Sequence, residues 1–249
     1  MLPTFTPAQW GLAVLAAFCI GFSKSGFIGT GLLTVAIMAQ LFSARESTCA
    51  LLPLLIIGDI GAVLAFRQHA RWPQIWRMLP PTLAGIIAGY AFMRAVPDAR
   101  FGPIIGWIVL AMVVLQAARK LRPALYEGVP HTRPFACAMG ATAGVTTMLA
   151  NAAGPVFSLY LLALSLPKYA LVGTSAWFFL IVNVIKVPFS AHLGLIHGSS
   201  LAFNLVLVPA VVAGVFAGRW LVAIIPQTVF EIVLLVFATA AALRLLGVF

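Results

Sequence analysis

By pattern alone, these 249 residues make an all-α, polytopic transmembrane helical bundle of two homologous repeats, each opening on a broken or re-entrant unit. Three observations lead there. Hydrophobic residues are 63% of the chain, charged residues only 8%, and mean hydropathy is +1.10. A soluble domain carries roughly a quarter of its residues charged, so there is too little polar surface here to cover a core. Apolar stretches close to the ~20 residues that cross a bilayer recur along the chain. Finally, the two halves match each other in register.

Charge and turn residues cut the chain into about eight hydrophobic units, two of them broken, so that ten stretches are visible. The first is 8–22, and 27–42 follows the polar break Ser23-Lys24-Ser25-Gly26. Stretches 48–66, 78–93 and 101–118 complete the first half. A basic connector over about 119–134 divides the protein. The second half gives 135–150 and 155–166, broken at Asn151-Ala152-Ala153-Gly154, then 171–191, 201–218 and 229–246. The whole of 1–249 is thus one transmembrane domain, with repeat one at about 8–118 and repeat two at about 135–247. Positions 1–8 carry no positive charge and no small-residue cleavage site follows, so the start does not read as a cleavable signal peptide. Cys19, Cys49 and Cys137 are scattered through apolar segments without metal-ligand spacing and read as small buried thiols.

The repeat can be counted. At an offset of 123, Gly21 meets Gly144, Gly31 meets Gly154 and Phe66 meets Phe189. At an offset of 129, Pro80, Gly85, Gly89, Pro97 and Phe101 fall on Pro209, Gly214, Gly218, Pro226 and Phe230. Five identities in one register, within matching hydropathy, exceed coincidence in a Gly-rich chain. Such repeats are a transporter signature, because alternating access exchanges the conformations of two similar halves. Arg67, Arg71 and Arg77 mark one cytoplasmic connector, and Arg119, Lys120, Arg122 and Arg133 another. The counterpart of the first, at 192–200, has no Lys or Arg. That asymmetry favours an inverted second repeat, with three full helices plus a re-entrant hairpin per half; if each broken unit instead crosses the membrane, the crossings per half are even and the repeats parallel. The net charge of +10 follows from these connectors, which set topology and meet anionic lipid rather than nucleic acid.

Charges inside apolar segments are functional candidates, because burying them is costly. Lys24 lies in Gly21-Phe22-Ser23-Lys24-Ser25-Gly26-Phe27-Ile28-Gly29-Thr30-Gly31. Glycines there permit an unwound backbone, and a helix half starting beyond it points its positive end at the gap. Ser23, Lys24, Ser25, Gly26 and Gly29 therefore make one wall of an anion site. A snorkelling Lys24 beside a packing glycine run is the competing reading. The second break, Gly144 to Pro155, offers Thr146, Thr147 and Asn151; Pro155 suits a first helical turn and Asn151 its cap. Paired breaks at matching positions point to a substrate site between repeats, and simple kinks are the alternative. Asn183 and Lys186, three residues apart, share a helix face. Asp59 is the only acid deep in any segment; it either bridges Lys186 or Lys24 or binds a coupling proton. His192 reads as a solvated connector histidine or a proton relay. Pro188 marks a kink, Gly85/Gly89 and Gly214/Gly218 close helix packing, and Trp72, Trp76 and Trp107 an interfacial belt. No acid cluster, nucleophile–base pair or phosphate loop is present in the sequence, so no enzyme, metal or cofactor is expected.

The segment Gly21-Phe22-Ser23-Lys24-Ser25-Gly26 with Gly29 and Gly31 resembles the first signature of the sulfite exporter TauE/SafE family. Asn151-Ala152-Ala153-Gly154-Pro155, Gly173-Thr174-Ser175-Ala176-Trp177-Phe178-Phe179 and the stretch from Asn183 to Pro188 resemble its second-half counterpart, so the likeness covers about 10–246. Thr30 departs from it, standing where many members have glycine. The resemblance implies a multi-pass transporter of the bacterial inner membrane for small sulfur-containing anions such as sulfite, sulfoacetate or isethionate. It implies no direction, since the family spans exporters and importers. The expected partners are that small anion and the lipid bilayer; nucleic acid is not expected, and a homo-oligomer is compatible. Without a nucleotide motif, alternating access must run on an ion, proton or substrate gradient. A passive anion channel is the alternative, followed by a membrane subunit of a larger complex.

Overall fold

The structure, a computed structural model, describes residues 3–25, 30–121, 132–164, 166–196 and 198–221, with scattered positions between 236 and 248. All regular structure among them is helical. The order is α1 (Pro7–Lys24), α2 (Thr30–Leu41), α3 (Ala44–Ala50), α4 (Leu52–Phe66), α5 (Trp72–Ala95), α6 (Phe101–Leu121), α7 (Arg133–Ala150), α8 (Gly154–Ala163), α9 (Lys168–His192) and α10 (Gly198–Leu221). Among the described residues, four stretches, Ala44–His69, Asp98–Ala118, Tyr169–His192 and Ser200–Trp220, are long and apolar enough to cross a membrane. Large apolar side chains such as Leu64, Trp107, Leu205 and Phe216 stay exposed around the bundle, as a lipid-facing surface requires.

Local chemistry sets the helix ends. Thr6 and Gln9 form a reciprocal capping box ahead of Pro7, the first residue of α1. The break after Lys24 falls where the polar run Ser23–Ser25 interrupts the apolar pattern; Gly26 and Gly29 lie outside the described residues. At the second break α7 ends on Asn151, whose φ of 51° is the left-handed conformation that Asn tolerates better than most residues. The N–H groups of Asn151 and Ala152 turn back to the carbonyls of Thr147 and Thr146. Pro155 then occupies the first turn of α8, as its fixed φ favours. α5 starts at Trp72, earlier than its apolar pattern, and carries Pro80 and Pro81 inside it. Stretch 229–246 lies largely outside the described residues.

Two helix pairs build the bundle's frame, α1 against α10 and α5 against α7. Helices in lipid gain nothing from water exclusion, so close packing must supply the attraction, and glycine permits it. A Cβ on Gly21 would collide with the Val211 carbonyl oxygen, and one on Gly144 with the Thr82 carbonyl oxygen. Reciprocally, Gly214 abuts the Phe18 carbonyl and Gly85 the Ala141 carbonyl. One turn on, Gly218 meets the side chain of Ser25 and Gly89 that of Met148. Each of these contacts in one pair has its counterpart in the other, at the offsets of 123 and 129 counted in the sequence.

Candidate functional site

Between the two breaks lies a cavity of about 80 Å³, several times the ~10–15 Å³ that one water needs on this measure. The first turn of α2 (Gly31, Leu32) and the first turn of α8 (Gly154, Pro155) both line it. Ser23 and Lys24 enter from the end of α1, Thr147 and Asn151 from the end of α7, and Ser175, Phe179 and Asn183 from α9. The positive ends of two helices thus meet side-chain donors in one small space.

Two lysines and one carboxylate organise the wall. Lys24 Nζ sits 2.7 Å from Asp59 Oδ1, with the carboxylate fully buried and the lysine side chain 12% exposed. The ammonium also stands 4.8 Å above the Phe179 ring, a favourable placement for a cation on a π face. Asn183 Nδ2 donates to the other oxygen, Asp59 Oδ2, at 2.7 Å. Of the two partners open to Asp59, the fold therefore selects Lys24. Lys186, 1% exposed, sits behind the wall instead. Its Nζ donates to Thr147 Oγ1 at 3.2 Å and to Asn151 Oδ1.

That second set fixes polarity. With its oxygen accepting from Lys186, the Asn151 amide donates through Nδ2 to the Thr48 carbonyl at 2.6 Å, one of the two N–H donors that an amide nitrogen carries. Thr147 Oγ1, already an acceptor, keeps its own proton. A charged lysine has donors and no acceptor, so neighbours that accept from it keep their own donors for other partners. The wall is thereby biased toward anions.

Several residues expected at the site take other places. Ser25 Oγ donates to the Val215 carbonyl at 3.0 Å, and Ser25 packs against α10. Thr146 Oγ1 donates back to the Thr142 carbonyl at 2.8 Å, inside its own helix. Asn151 ends α7 rather than capping α8. His192 is hydrogen-bonded to Tyr90 Oη at 2.6 Å rather than merely solvated. Cys19 and Cys49 are buried, but Cys137 is exposed on α7. Ser175 is the residue that pattern reading missed. Its hydroxyl oxygen is buried without a hydrogen-bond partner, on a residue lining the cavity. The one signal for it was its position in the motif Gly173 to Phe179, since serine in an apolar helix otherwise reads as packing.

Interrupted helices that meet at a small cavity with a lysine in its wall are an arrangement that membrane transport proteins use. A scan against protein families matches residues 13–245 to the family described as Sulfite exporter TauE/SafE. The chain belongs to that family, whose members are membrane transporters for sulfite or related anions rather than enzymes. Searches of curated proteins and of solved structures each returned no match.

Proposed function

We propose that this protein is a secondary transporter of small sulfur-containing oxyanions, sulfite or organosulfonates such as sulfoacetate and isethionate, in a bacterial inner membrane. The observation that carries the reading is the cavity itself: Lys24 and the starts of α2 and α8 converge on it, between two breaks at matching positions of the chain. A sulfonate presents three acceptor oxygens around one sulfur. Lys24 Nζ, the Asn151 Nδ2–H, the hydroxyls of Thr147 and Ser175 and the backbone N–H groups of the helix starts are donors of the kind it needs.

Transport runs by alternating access of two inverted repeats within one domain. Two features support this. The α1–α10 and α7–α5 pairs exchange helices between the halves through corresponding glycine contacts, and the basic residues cluster asymmetrically between the halves. Rocking one pair against the other would carry the cavity from one side to the other.

Purified protein titrated with sulfite, sulfate, sulfoacetate, isethionate and acetate is expected to bind the sulfite or sulfonate group and to discriminate against acetate. In proteoliposomes, influx of the bound anion should saturate and show counterflow. Linear, non-saturating flux without counterflow would instead define a passive channel, and equal binding of all five would reduce the site to a general anion trap.

Lys186→Met is expected to lower flux about tenfold, because Thr147 and Asn151 lose the donor that orients them, and losing one such bond costs about 1–3 kcal/mol. Its melting temperature should change little, since removing a buried amine also removes its desolvation penalty. Wild-type flux in this variant would leave Lys186 a structural residue.

A further inference from the structure

We infer that Asp59 is a proton-binding site whose occupancy is tied to that of the anion, so that one proton moves with each monovalent anion. The inference rests on the transporter reading above and adds the coupling ion to it.

Lys24 is shared property. It contacts Asp59 on one side and lines the cavity on the other, whereas Asp59 is fully buried and does not itself line the cavity. An anion entering the cavity therefore reaches the ammonium but not the carboxylate, and the two negative groups compete for one cation. As the ammonium turns to the anion, Asp59 keeps only the neutral Asn183 amide as a hydrogen-bond donor. A carboxylate buried without its counter-charge, and close to a second anion, is the arrangement that drives protonation.

Among the described residues no other cation bonds Asp59, although the Lys186 charge reaches it from a distance. On α9, Lys186 donates to Thr147 and Asn151, and His192 pairs with Tyr90. On α3, Arg45 is paired with Asp98, Glu46 lies in the first turn, and Cys49 is buried. Arg67 and His69, just past the end of α4, and Arg219, in the last turn of α10, stand at helix ends.

The step balances without any further reactant. In the empty site, Asp59 is a carboxylate paired with the Lys24 ammonium. On loading, the anion takes the ammonium, and a solvated proton from the same side as the anion bonds to Asp59 Oδ1, the oxygen Lys24 gives up. The loaded site holds the same net charge as the empty one. On release, the proton leaves Asp59 Oδ1 and the ion pair re-forms. The empty and loaded carriers thus move the same charge across the bilayer, where moving an extra one is expensive.

Isethionate is the probe of choice, because its sulfonate stays ionised across the working pH range and any pH dependence belongs to the protein. With the full chain in liposomes enclosing a pH dye, an inward isethionate gradient should acidify the lumen by one proton per anion. Binding to the wild type should tighten with falling pH, approaching tenfold per pH unit. Asp59→Asn should lose the pH dependence of anion binding and move no protons with the anion. If only sulfite binds, its own titration is common to both proteins, and the difference between them is the readout. Anion flux without lumen acidification, or affinity equal at pH 5 and pH 8 in the wild type, would overturn the inference and leave the transport reading standing. No binding and no flux of any anion tested would overturn both. The wild-type readings decide the matter even if Asp59→Asn fails to fold.

Discussion

Lys24→Ala is expected to weaken anion binding about a hundredfold, the largest loss at any position in the cavity. Hydrogen bonds to a charged group contribute about 1.5–3 kcal/mol each, and every 1.4 kcal/mol is tenfold in affinity. Lys24 is the ammonium that lines the cavity, and Lys186 is committed to Thr147 and Asn151 behind it. The same substitution strips Asp59 of its ion-pair partner. Breaking a buried pair on one side costs about 3–5 kcal/mol, so the melting temperature should fall as well. Combining Lys24→Ala with Asp59→Asn separates the two effects. The double variant should regain most of the stability, because no charge is left stranded, and none of the affinity. Titration calorimetry beside thermal melts reads both quantities. Wild-type affinity in a folded Lys24→Ala protein would take Lys24 out of the site.

Gly144→Ala should be among the substitutions most damaging to folding. The added methyl would collide with the Thr82 carbonyl oxygen, the Gly85 Cα and the Ile86 nitrogen, all of them backbone atoms. No rotamer change relieves that contact, so α5 and α7 must move apart. Overpacking typically costs about 1–3 kcal/mol, and here it also loosens one of the bundle's two framing pairs. A loss of at least about 3 kcal/mol is expected, seen as a lower melting temperature and a reduced monodisperse fraction in detergent. Gly21→Ala, which meets the Val211 carbonyl in the corresponding pair, should behave alike. Gly102→Ala, with nothing within 4 Å of the new methyl, is the control and should be neutral. A Gly144→Ala protein as stable as that control would refute the claim that this contact frames the bundle.

Most helix limits were legible because a bilayer imposes a simple rule. Every apolar run must satisfy its backbone internally and can end only where polar residues, glycine or proline allow. The break after Lys24, the start of α8 at Pro155 and the placing of Asn183 and Lys186 along one helix all follow from that rule. The start of α5 did not follow, because Trp72, Gln74 and Arg77 read as connector residues until a neighbouring helix gives them a surface. The site was legible to the level of residue type. Lysine, serine and asparagine in apolar stretches stand out because their burial is costly, and Ser23, Lys24, Thr147, Asn151 and Asn183 do line one cavity. Ser25 and Thr146 carry the same signal, yet spend their hydroxyls on backbone carbonyls elsewhere.

Composition and spacing by themselves determined that this chain lives in a membrane, where its helices break and which polar residues are out of place among apolar neighbours. Those properties are local, set within a turn or two of chain by the demand that buried backbone bond to itself. Tertiary structure alone decided that Asp59 holds Lys24 rather than Lys186, that Lys186 works from behind Thr147 and Asn151, and that Ser175 is left free in the cavity. A partner choice depends on the distance between helices far apart in sequence. Here that distance is set by glycine contacts such as Gly144 on Thr82 and Gly21 on Val211, whose consequences for a third helix no local pattern records.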